Sequence, residues 1–61
     1  MTDAMTISQH ARALYRAHGD KAEAEAAKRE RVAHEAGKEG EAVDWRRIRA
    51  SIHQIRGANQ T

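Results

Sequence analysis

Trp45, Ile48, Ile52 and Ile55 recur at 3-4-3 spacing in a chain whose other large apolar side chains are scattered. That spacing places all four on one helical face, as in a coiled-coil seam. Only eleven apolar residues exceed Ala in size, and thirteen of the 61 residues are Ala. A chain this short buries only about 60% of its unfolded surface. One domain, residues 1–61, is therefore expected, without room for a substrate cavity on a catalytic scaffold. No apolar run approaches the roughly 20 residues of a membrane span, and no signal-peptide core is seen. The absence of Cys excludes a disulfide framework and fits a reducing cytoplasm.

With no Pro, the four Gly residues are the only punctuation. Ala, Glu, Lys and Arg dominate between them, and no stretch alternates like a strand, so the expected class is all-α. Thr6-Ile7-Ser8-Gln9 has the form of a capping box and predicts a helix over 6–18, closed by Gly19. Asp20-Lys21-Ala22-Glu23 repeats the pattern and predicts a second helix over 21–36, closed by Gly37. Gly40 is placed as the cap of a third helix over 41–56, ended by Gly57. Residues 1–5 and 57–61 are expected to be flexible.

The second segment carries Ala22, Ala26, Ala33 and Ala36 on one face. A short break at 37–40 makes the second and third segments antiparallel neighbours. Small residues opposite large ones let helices approach closely. Folding at 38–39 sets Ala33 against Trp45, Ala26 against Ile52 and Ala22 against Ile55. Ile7 and Leu14 of the first segment cover this pair. The expected architecture is an antiparallel helical hairpin plus a short N-terminal helix, a three-helix unit.

Charge follows the same register. Arg46, Arg47, Arg49 and Arg56 lie in an acid-free stretch and form the one sequence cluster suited to a polyanion. In the hairpin, however, Glu30 should meet Arg46 and Arg49, and Glu23 should meet His53 and Arg56, leaving Arg47 free. A helix-turn-helix with its turn at Gly37 fails at Lys38 and Arg46, where apolar residues are needed, and would present Glu39, Glu41 and Asp44 to DNA. Nucleic-acid binding through these arginines is thus the alternative reading.

Other chemistries find little support. His10, His18, His34 and His53 share no i, i+4 spacing, so no metal is expected. Glu30 is the expected partner of His34, and His18 is expected to cap carbonyls at its helix end. Ser8 and Ser51 lie in helical segments with no elbow or Gly-rich loop, and no carboxylate pair lies in a cleft, so no enzyme activity and no cofactor are expected. The last segment's apolar stripe beside a basic one suits a membrane surface, but the Ala face offers it a partner within the chain. Protein association remains: Met5, Ile7, Tyr15 and Val43 are the candidate partner contacts. The expected partner is a second copy, as in a homodimer, or another helical protein, in a small regulatory or accessory subunit.

The run ALYRAHGDKAEAEAAKRE…AG…AVDWRRIRASI, over about residues 11–55, resembles short helical proteins found widely in alphaproteobacteria. Those share an HGD turn, an Ala-rich helix and a W-R-R-I segment. The resemblance implies a bacterial cytoplasmic helical protein and carries over no functional residue. Lys38 departs from the Asp that commonly follows Gly there, which weakens the expected start of the third helix.

Overall fold

The chain is all-α, as composition and periodicity predict. A computed structural model describes residues 3–59, with side chains through residue 57. Helix α1 spans Ala4–His18, one 3-10 turn covers Gly19–Lys21, α2 spans Ala22–Glu35 and α3 spans Glu39–Asn59. No strand occurs among the described residues. Residues 1, 2, 60 and 61, part of the expected flexible ends, lie outside that description.

Helix α1 starts earlier than the Thr6 capping box predicts. Asp3 is the cap: its Oδ1 accepts the Thr6 N–H at 2.8 Å, and its carbonyl accepts the Ile7 N–H at 3.0 Å. Two residues suited to capping lie three positions apart, and the outer one gains further helical hydrogen bonds. Residues 4 and 5 are therefore helical rather than a flexible lead.

The second capping box does not form. Lys21 and Ala22 already have helical dihedrals, and no side chain caps the start of α2. A capping residue needs extended backbone, which the 3-10 turn denies to Asp20. Gly19 does mark the end of α1, with φ 60° and its N–H bonded to the Tyr15 carbonyl. The chain thus leaves α1 at the positive-φ Gly19 and enters α2 through one 3-10 turn that is already helical at Lys21.

Gly37 ends α2 as expected. With φ 76°, it lets Lys38 N–H reach the Ala33 carbonyl at 2.8 Å while its own N–H reaches that of His34 at 3.0 Å. These two bonds form the Schellman closure. The expected roles of the remaining glycines are not realised. Gly40 lies within the first turn of α3, and Gly57 lies inside that helix rather than after it. Among the described residues only Gly19 and Gly37 have positive φ.

The core comprises Ile7, Ala11 and Leu14 of α1, Ala22 and Ala26 of α2, and Ile48 and Ile52 of α3. Tyr15, Trp45 and Ile55 pack around it, half-buried. Ile52 is completely buried, as are the facing alanines Ala22 and Ala26. The small-against-large complementarity expected between α2 and α3 is therefore present. Ala42, which had no assigned role, is also buried.

Candidate interaction surface

The antiparallel register of α2 and α3 places acids of one helix beside bases of the other. Glu23 Oε1 accepts from Arg56 Nη1 at 3.0 Å and lies 3.3 Å from His53 Nδ1. One turn pair further along, Glu30 lies 3.6 Å from Arg46 and 3.5 Å from Arg49. Glu30 Oε1 is buried without a hydrogen bond, so charge holds it there. All four expected contacts are realised. Three of the four arginines named as polyanion contacts, Arg46, Arg49 and Arg56, are thus engaged within the chain. Arg47 is exposed and makes no ion pair among the described residues.

Trp45 occupies a junction that helical periodicity could not locate. His10 of α1 meets its ring edge-on, with centroids 5.1 Å apart. The Arg29 guanidinium of α2 lies 5.2 Å from the ring centroid, within cation–π range. Arg29 is also 3.4 Å from Glu25, one turn before it. One aromatic ring on α3 therefore touches side chains of both other helices. Arg29 has no place in the sequence analysis, although its spacing of three from Ala26 and four from Ala33 sets it beside the Ala face.

Two concave surfaces flank this ring. A groove of about 470 Å³ between α2 and α3 is lined by Arg29, Val32, Ala33, Ala36 and Trp45, with Glu25, Lys28, Lys38 and Glu41 at its rim. A smaller one of about 260 Å³ between α1 and α3 includes Ile7, His10, Asp44, Trp45 and Ile48. Neither contains a deeply buried polar group suited to a reaction.

The four candidate partner contacts have different environments. Met5 is 71% exposed. Tyr15 and Val43 are half-buried, Tyr15 against the core. Ile7 is a correction: at 7% exposure it belongs to the core, because it occupies the same α1 stripe as Ala11 and Leu14. Val32 of α2, not among those four residues, is 53% exposed.

The histidines also differ in part from expectation. His34 does not pair with Glu30 but lies 2.9 Å from Glu39 across the break between α2 and α3; Glu30 is turned toward the arginines instead. His18 is exposed at the end of α1. Among the described residues no group of three or more His, Asp and Glu side chains could hold a metal ion, and no helix is long and apolar enough to cross a membrane. Comparison with protein-family models, with curated proteins and with solved structures returns no match.

Proposed function

We propose that this chain folds as a three-helix unit, an antiparallel hairpin with a short N-terminal helix, and acts by helix-mediated protein association. Its role is that of a small regulatory or accessory subunit in a bacterial cytoplasm. The observation that carries this reading is the contrast between α2 and the arginine stripe. Val32 stands more than half exposed on α2, whereas Arg46, Arg49 and Arg56 are spent on Glu30 and Glu23. Apolar surface is left over; positive charge on α3 is mostly not. The nucleic-acid alternative retains only Arg47 from that stripe.

Sedimentation equilibrium over a concentration series tests self-association, and affinity capture with the intact chain tests association with another helical protein. A strict monomer at high micromolar concentration, with no stoichiometric partner captured, would sink the reading.

A further inference from the structure

We propose that α2 is a homodimer face. Two copies pack antiparallel through α2 with Val32 on the two-fold axis, and Lys28 of each copy pairs with Glu35 of the other. The inference rests on the association reading and names its partner as a second copy of this chain.

The argument begins with charges that have no partner. Glu23, Glu25 and Glu30 of α2 all lie within ion-pair distance of cations in the same chain. Lys28 and Glu35 are exposed and make no ion pair among the described residues. They are seven residues apart, about 10 Å along the helix axis, too far to pair with each other. Both flank Val32, Lys28 four residues before it and Glu35 three after. At about 100° per residue they lie about 40° and 60° round the helix from Val32, in the same direction.

A second α2 reversed about Val32 converts that arrangement into two ion pairs. The reversal exchanges positions before and after Val32, while a two-fold axis across the helix pair keeps each flank on its own side. Lys28 then falls within about 1.5 Å, along the axis, of Glu35 from the second copy. Symmetry repeats the contact. The exposed Val32 side chains meet at the centre, and Ala36 on the other flank is small enough for close approach. A parallel pair in register would instead set Lys28 against Lys28. A partner of one charge sign would satisfy Lys28 or Glu35, whereas a reversed copy satisfies both.

Sedimentation equilibrium of the full chain and four variants tests the arrangement. Val32→Glu, Lys28→Glu and Glu35→Lys should each raise the dimer dissociation constant about tenfold. The double exchange Lys28→Glu/Glu35→Lys should return it to within about threefold of wild type, because the opposite charges meet again. All these side chains are exposed, so circular dichroism spectra should coincide. A dimer that ignores all three single changes, or a double exchange no tighter than the singles, overturns this face while leaving association intact. A wild-type monomer at high micromolar concentration overturns the homodimer itself, and partner capture then decides whether the broader reading survives.

Discussion

At Asp3 a carboxylate accepts the Thr6 N–H at 2.8 Å, and that backbone bond holds its pKa below the usual aspartate value. The sign of the pH effect follows from linkage. A folded pKa below the unfolded one gives stability that is present above the unfolded pKa and lost as pH falls through the folded one. The start of α1 should therefore loosen in acid, below the ordinary aspartate range. The Thr6 amide proton is the local reporter: its chemical shift should titrate with a midpoint below that range. In Asp3→Ala that titration should vanish and Thr6 should exchange faster. An unchanged Thr6 exchange rate would show that Asp3 does not cap the helix in solution. The capping-box pattern points to Thr6, because Asp3 is not followed three residues later by Glu or Gln. Placing the cap at Asp3 required knowing that residues 4 and 5 could continue the helix, which periodicity at Ile7 and beyond does not address.

Between elements, the break after α2 depends on one backbone conformation. Gly37 has φ 76°, a region that costs a residue with a Cβ roughly 1–2 kcal/mol. Gly37→Ala should lower stability by about that amount, although nothing lies within 4 Å of an added Cβ. Gly40 gives the opposite expectation, because it is helical and equally open. Gly40→Ala should raise stability by up to about 1 kcal/mol. Urea unfolding of both variants checks the pair; equal shifts would contradict the different roles assigned to the two glycines. The contacts across α2 and α3 give a second test at this scale. Glu23 and Arg56 meet at 3.0 Å but remain partly exposed. A double-mutant cycle with Glu23→Ala and Arg56→Ala should give a coupling of about 0–1 kcal/mol that shrinks with added salt. A salt-independent coupling well above that range would mean the pair is a principal support of the hairpin rather than a selector of register.

This register is the part of the structure most readable from sequence. Ala22 and Ala26 facing Ile52 and its neighbours, and Glu23 and Glu30 facing the arginines, follow from one hairpin fold and one helical period. The Trp45 junction was not readable. His10 and Arg29 reach that ring from different helices, and neither residue's own helical pattern specifies how α1 lies against α3. The candidate surface was partly misread for a related reason. Ile7 and Met5 are both apolar and only two residues apart, yet they sit on opposite sides of α1. The rotation that buries Ile7 is the one that exposes Met5.

For the molecule as a whole, the decisive quantity is surface. The chain exposes 4465 Å², where a compact monomer of 6.8 kDa would expose about 4000 Å². An excess of about a tenth is consistent with its elongated extents of 39 × 22 × 16 Å and with a core containing several Ala side chains. Each buried Ala contributes less apolar area than the Leu or Val usual at such positions, so the isolated fold should have little stability to spare. Covering Val32 with a second copy would stabilise the folded form by mass action, because unfolded chains do not present that face. The thermal midpoint should therefore rise with protein concentration. A hundredfold increase spanning the dimer dissociation constant should shift it upward by several degrees, since about 1 kcal/mol corresponds to roughly 4–8 °C in a domain of this size. In Val32→Glu the midpoint should become nearly independent of concentration. Differential scanning calorimetry at matched scan rates measures both. A concentration-independent wild-type midpoint across the micromolar range would mean that the thin core supports the monomer unaided, and would remove the stability argument for association.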